Sequence, residues 1–121
     1  MNSVDPSQRS LSPERIWWNA CHDVAVALER FITRDPKEVP AEEHPDIIAD
    51  LEAMGAALDQ IEFPDSVAAG HAHLKDAALH LKLSYEHLVY GQSGEMEYYY
   101  AHALMMLAQL YQLLIDYELT T

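Results

Sequence analysis

The sequence predicts an all-α protein that folds as a four-helix antiparallel up-down bundle. Apolar residues recur at alternating steps of three and four in four separate segments, which is the helical pattern. No segment alternates apolar and polar residues for long enough to form a strand. The last two breaks between segments are short, so the helices that flank them should pack antiparallel. We expect a single helical domain over residues 12–121, preceded by a flexible tail, residues 1–11.

The first predicted helix covers about residues 13–34. Ser12 can cap its N-terminus, Pro13 suits the first helical position, and Asp35-Pro36 closes it. Its apolar stripe contains Trp17, Cys21, Val24, Leu28 and Phe31. Trp18 lies beside this stripe, so we expect it to face outward or toward a neighbouring chain. The proline-bearing connection that follows either reverses the chain locally or crosses the end of the bundle.

The second predicted helix, about residues 45–62, lies in the most acidic part of the chain. Its apolar stripe contains Ile47, Leu51, Met54, Leu58 and Ile61. The chain has a formal net charge of −13, and residues 35–65 carry ten acidic residues against one base, Lys37. Nucleic acid is not expected as a ligand, because its recognition requires a basic footprint. The acidic face, which either keeps the protein in solution or docks a basic partner, contains Asp46, Asp50, Glu52 and Asp59.

The third predicted helix, about residues 65–90, carries four of the seven histidines. Its apolar stripe contains Val67, His71, Leu74, Ala78, Leu81, Tyr85 and Leu88. We therefore expect His71 to be buried with a hydrogen-bond partner. The other three, at seven-residue intervals, are His73, His80 and His87. Neighbours in this line are about 10.5 Å apart, too far to share one metal ion, so a response to pH is their alternative use.

One acidic residue lies four positions before a histidine on this helix, the pair Asp76 and His80. This spacing places the two side chains on the same helix face, where an ion pair is expected. A second subunit would be needed to complete a metal site around them. We therefore expect no metal ion to be held by one chain.

The fourth predicted helix, about residues 94–119 with Ser93 as its cap, is apolar over more than half of its circumference. Its stripe contains Tyr99, Ala103, Met106, Leu110, Leu113 and Tyr117. The third helix also has a second apolar line, away from its core stripe. Exposed apolar surface of this kind marks association sites, so we expect a homo-oligomer, most simply a two-fold dimer. The expected interface contains Ala72, Leu79, Leu83, Tyr90, Tyr98, Leu104 and Ile115.

No arrangement of catalytic residues is evident, and we expect neither enzyme activity nor a cofactor. Cys21 and His22 diverge by about 100° on their helix, so they do not form a thiolate pair. No acidic residue is followed by histidine three positions later, as carboxylate-bridged di-iron bundles require. The spacing from Arg15 to His22 is similar to that in helical HEPN ribonuclease domains, but Ile16 follows the arginine where those domains usually have a polar residue.

The sequence also favours a cytoplasmic location. The single cysteine cannot form an internal disulfide, which indicates a reducing compartment. The first residues, MNSVDPSQRS, lack the basic head and apolar run of a secretory signal. No stretch of eighteen apolar residues is present, so no contact with a membrane is expected.

These observations predict a non-catalytic acidic helical bundle that acts through self-association and protein–protein interaction. One alternative is an acidic decoy that presents carboxylates to a basic, nucleic-acid-binding protein. A second is a bundle that binds a small ligand or a metal in a pocket lined by Trp17, Tyr99 and Met106. A third is a weak nuclease, which would need Arg15 and His22 in one open cleft.

Overall fold

A computed structural model of the chain describes residues 11–119. Over that range the fold is all-α, with four α-helices and no strand, as predicted. The helices are α1 (Pro13–Ile32), α2 (His44–Asp59), α3 (Ala68–Val89) and α4 (Ser93–Asp116). Apart from Leu11, the tail predicted over residues 1–11 lies outside the described residues.

Contacts between neighbouring helices show that the bundle is antiparallel. Arg15, at the start of α1, donates to the carbonyl oxygens of Glu118 and Leu119 beyond the end of α4. Tyr100, near the start of α4, donates to the Ile32 carbonyl at the end of α1 with an O···O distance of 2.6 Å. Each end of the bundle therefore contains the start of one of these helices and the end of the other.

The connection between α1 and α2 reverses the chain locally and does not cross the end of the bundle, so the first of the two predicted alternatives is observed. It contains two short 3₁₀ turns, Pro36–Glu38 and Ala41–Glu43. The ring of His44 is buried and bonds the Val39 carbonyl at 3.0 Å, so the second turn is fixed to the start of α2. Side chains of α1 and α2 then line a shared groove along their length.

The helices end one to three residues earlier than the apolar pattern predicts. Ile32 ends α1 because its carbonyl is bonded by Tyr100 from another helix and because Pro36 follows closely. Asp59 ends α2, and a non-helical segment leads to Pro64. Ser93 is the first residue of α4 and makes no capping hydrogen bond, so its predicted role as cap was wrong.

The end of α4 contains the one non-glycine residue with a positive φ among the described residues. Glu118 has φ +57°, in the left-handed region that stops a helix. The chain thereby folds back, and the Leu119 N–H donates to the Leu114 carbonyl at 2.7 Å. Leu119 is buried as a result, so the turn after α4 belongs to the core.

The core follows the predicted stripes on α2 and α3 but departs from them on α1 and α4. On α4, Leu107 and Leu114 are buried, whereas Tyr117 of the predicted stripe is 43% exposed. The buried residues of α1 are Trp17, Trp18, Cys21, Ala25, Leu28 and Ile32. The stripe is therefore rotated toward the line of Trp18, Ala25 and Ile32, and Val24 and Phe31 are only partly buried. The prediction that Trp18 faces outward was wrong, since its side chain is 8% exposed and packs against Trp17. On α3 the stripe from Val67 to Tyr85 is buried as predicted.

Candidate functional site

The side of the bundle formed jointly by α3 and α4 exposes large apolar and aromatic side chains. We call it the α3–α4 face, and its members are His80, Leu83, Tyr98, His102 and Met105, with Tyr90 at its edge. Tyr90 is 79% exposed, Tyr98 is 68% exposed and Met105 is 51% exposed. Side chains of this size are more often buried, so the face is an exposed patch of large apolar and aromatic groups.

The α4 side of this face has no formal charge over a long distance. Residues 98–115 contain no Asp, Glu, Lys or Arg, although the protein as a whole has a net charge of −13. At 1.5 Å per residue this segment extends about 27 Å, most of the length of the helix. Its outward positions include exposed Ala101 and Ala108 as well as Met105, and the polar side chains of Gln109 and Gln112 are also exposed. This part of the surface is therefore uncharged.

The structure distributes the seven predicted interface residues over three sides of the bundle. Leu83 and Tyr98 lie on the α3–α4 face, and exposed Ala72 and Tyr90, which point in the same direction from α3, lie at its edge. Leu79 is exposed toward α2, because it lines a groove with residues of that helix. Exposed Leu104 and Ile115 lie toward α1, on the side of α4 from which Tyr100 and Tyr111 bond α1. Met105, which is 51% exposed, was not among the predicted interface residues.

Histidines from both helices meet at the centre of this face. The ring centroids of His80 and His102 are 4.1 Å apart and the rings are tilted by 43°. His80 Nδ1–H donates to the Asp76 carbonyl at 2.7 Å, so the predicted Asp76–His80 contact is made by the backbone instead of the carboxylate. The His80–His102 contact could not be predicted from periodicity, because it depends on the register between two helices.

A third histidine, His87, lies two turns after His80 on α3 and contacts Gln92 and Tyr99. His87 Nδ1 bonds the side-chain oxygen of Gln92 at 2.6 Å. Its ring stacks on Tyr99, with centroids 4.9 Å apart and an interplanar angle of 20°. Tyr98 packs edge-on against Tyr99, which links the exposed aromatic to the histidine line.

His71 is buried with both ring nitrogens bonded, as predicted. Trp17 Nε1–H donates to its Nδ1 at 3.0 Å, and its Nε2–H donates to the Leu58 carbonyl at 3.0 Å. Phe63 stacks on the ring with centroids 4.4 Å apart. Burial lowers the pKa of His71, so the ring is held neutral. This histidine joins α1, α2 and α3 and is structural.

The predicted acidic face of α2 is divided in two. Asp46 and Asp50 are exposed and form no ion pair within residues 11–119. Glu52 and Asp59 lie on the α3 side, where Asp59 pairs with Lys75 and Glu52 pairs with Lys82 at 3.4 Å. These exposed pairs contribute little to stability, but they occupy two of the four carboxylates.

The side chains named in the alternative predictions lie apart in the fold. Trp17 and Tyr99 are at opposite ends of the bundle, because α1 and α4 are antiparallel, so they do not line one pocket. Arg15 bonds the turn after α4, whereas His22 lies two turns further along α1 and packs on Trp18. Cys21 is buried, and burial raises the pKa of its thiol to about 12, which leaves it unreactive.

The groove between α2 and α3 is the other concave feature near the α3–α4 face. Its volume is about 470 Å³, and Leu51, Gly55 and Leu79 contribute to its lining. The lysines on its rim, Lys75 and Lys82, are already paired with carboxylates of α2. The floor of the groove is therefore apolar, and the lysines at its edge are paired with carboxylates.

Metal-binding clusters and membrane-spanning helices are both absent from the part of the chain that the structure describes. No group of three or more His, Cys, Asp or Glu side chains within residues 11–119 is arranged to hold a metal ion. None of the helices over the same range is long and apolar enough to cross a membrane. Comparisons with family models, curated proteins and solved structures gave no match.

Proposed function

We propose that this protein is a non-catalytic helical bundle that acts through self-association and through binding another protein. The α3–α4 face is the surface that we assign to this function. The observation that carries the proposal is the uncharged segment 98–115, which exposes Tyr98 and Met105 in a protein of net charge −13. Water-exposed apolar area of this kind is stabilised when another apolar surface covers it.

A second copy of the chain is the occupant that best fits the charge distribution. Two chains of net charge −13 repel each other, and the repulsion is smallest where neither presents acidic side chains. Residues 98–115 meet this condition, whereas α2 and the connections on either side of it carry the acidic block. A two-fold axis across the α3–α4 face would oppose the uncharged segment of one chain to that of its partner.

The area of the face supports an interface that uses both helices. A helix is about 10 Å wide and α3, with 22 residues, is about 33 Å long, so the two helices together offer roughly 600 Å² in projection. Stable dimers bury about 800 Å² of accessible surface per partner. Protruding side chains make the accessible surface larger than its projected area, so the face is large enough for such an interface. One helix alone would offer only about half of this area.

The location that we propose is the cytoplasm. Its support is the single cysteine, which is buried and forms no disulfide with another residue of the described chain. Reducing compartments are where unpaired structural thiols are usual.

Charge-introducing variants test the proposed surface. Leu83→Glu with Met105→Glu adds two carboxylates at the centre of the α3–α4 face and should yield a folded monomer by light scattering. Ala49→Glu with Ala53→Glu adds the same charge on exposed positions of α2 and should leave self-association unchanged. Equal effects of the two pairs would contradict the assignment, since they would show an effect of net charge alone.

An acidic decoy is a second candidate, supported by one observation. Asp46 and Asp50 are exposed on α2 and have no lysine or arginine partner within the described range. They are therefore available to a basic protein. Asp46→Asn with Asp50→Asn should weaken capture of such a partner, and the binding of the unmodified chain should fall with added salt.

A further inference from the structure

The contact between His80 and His102 has the features of half of a metal site. His80 is the thirteenth of 22 residues in α3, and His102 is the tenth of 24 residues in α4. The pair therefore lies near the middle of both helices. Its ring centroids are 4.1 Å apart, and both side chains are partly exposed on the α3–α4 face.

The hydrogen bonds leave coordinating nitrogens available. Because Nδ1–H of His80 donates to the Asp76 carbonyl, the lone pair of this ring is on Nε2. Histidines that bind metals are commonly held in this way, with the second ring nitrogen donating to a backbone carbonyl. The ring of His102 forms no hydrogen bond with another residue in the range 11–119, so it can turn toward a shared ion.

One chain cannot complete the coordination shell. Zinc is usually bound by four ligands in tetrahedral geometry, and imidazole nitrogen is one of its preferred ligands. The described residues contain no third His, Cys, Asp or Glu placed to join the pair. Ligands from outside the chain are needed, and a two-fold axis near the middle of the helices supplies two more histidines.

We propose that a divalent ion of the zinc class binds between two copies of this chain, held by His80 and His102 of each. This proposal rests on the proposed function, because it uses the same face for self-association. The ion would also place two positive charges between two chains of net charge −13. That charge lowers the repulsion that otherwise opposes the dimer.

Titration of the full-length chain with Zn²⁺ tests the proposal. Calorimetry should give one ion per two chains, and sedimentation velocity should show self-association strengthened about tenfold or more over the chain in EDTA. His80→Ala and His102→Ala should each abolish this gain while circular dichroism shows an unchanged fold. His22→Ala, on the exposed side of α1, should retain it.

The measurement in EDTA separates this proposal from the proposed function. A dimer in EDTA that does not respond to Zn²⁺ overturns the metal site and leaves the α3–α4 face in place. A monomer in EDTA that dimerises with half an equivalent of Zn²⁺ supports the metal site and contradicts self-association by apolar contact alone. Binding of one ion per chain, or binding that survives both histidine variants, overturns the bridging ion.

Discussion

The indole Nε1–H of Trp17 donates a hydrogen bond to Nδ1 of His71, with an N···N distance of 3.0 Å. This bond joins the first helix to the third at the core. It also fixes the tautomer, because Nδ1 accepts and Nε2–H must then donate to the Leu58 carbonyl. Protonation of His71 would put a hydrogen on Nδ1, opposite the indole N–H, and the bond would be lost.

Stability should therefore fall as the pH is lowered below neutrality. Burial lowers the pKa of His71, so the unfolded chain takes up a proton more readily than the folded chain. The stabilisation is present above the ordinary histidine pKa of about 6.5 and is lost as the pH falls through the folded-state pKa. Urea unfolding at pH 7.5 and pH 5 should show this loss, and His71→Gln should reduce the difference. An identical pH dependence in His71→Gln would contradict the assignment to this residue.

Tyr85→Phe should not destabilise the protein. The Tyr85 hydroxyl is buried, and among the described residues it has no hydrogen-bond partner. Burial raises the pKa of this hydroxyl to about 12. Removing an unsatisfied hydroxyl should change the free energy of unfolding by between zero and a gain of about 1 kcal/mol.

Tyr100→Phe is the matched control for this prediction. The Tyr100 hydroxyl donates to the Ile32 carbonyl at the end of α1. Its loss should cost about 1 kcal/mol in chemical denaturation. A larger cost for Tyr85→Phe than for Tyr100→Phe would show that the Tyr85 hydroxyl has a partner.

Glu118→Gly should stabilise the turn that follows α4. Glu118 adopts φ +57°, a conformation that costs an L-residue about 1 kcal/mol and that glycine adopts freely. The substitution keeps the carbonyl that accepts a bond from Arg15. We expect the melting temperature to rise by a few degrees, while Glu118→Ala should give no rise.

Self-association should strengthen with added salt. Both partners carry a net charge of −13, and the proposed contact is apolar, so screening removes repulsion without weakening the contact. Sedimentation of the chain in EDTA at 50 mM and 500 mM NaCl should show a larger associated fraction at the higher concentration. Dissociation by salt would indicate an interface built from ion pairs.

Periodicity within one helix could be predicted from the sequence because it is a local property. The burial of His71 and of the other residues in the α3 stripe followed from their spacing. The helix ends were harder to predict, because the end of α1 depends on a hydrogen bond from Tyr100, a residue 68 positions away. The stripe of α1 was misplaced because both tryptophans bury their large rings, which rotates the helix toward Trp18.

Relations between helices could not be predicted in the same way. The His80–His102 contact depends on how far α3 and α4 slide along each other, and no residue pattern encodes that distance. Antiparallel packing also placed Leu79 and Leu104 on different sides of the bundle, although each lies on an apolar line of its own helix. The exposure of Met105 follows from the same packing.

Self-association can be measured by sedimentation equilibrium of the unmodified chain in EDTA, from micromolar to high micromolar concentration. Self-association through the α3–α4 face predicts that the average mass rises from the 13.7 kDa of one chain toward twice that value. A mass that stays at that of one chain at the highest concentration would contradict the account.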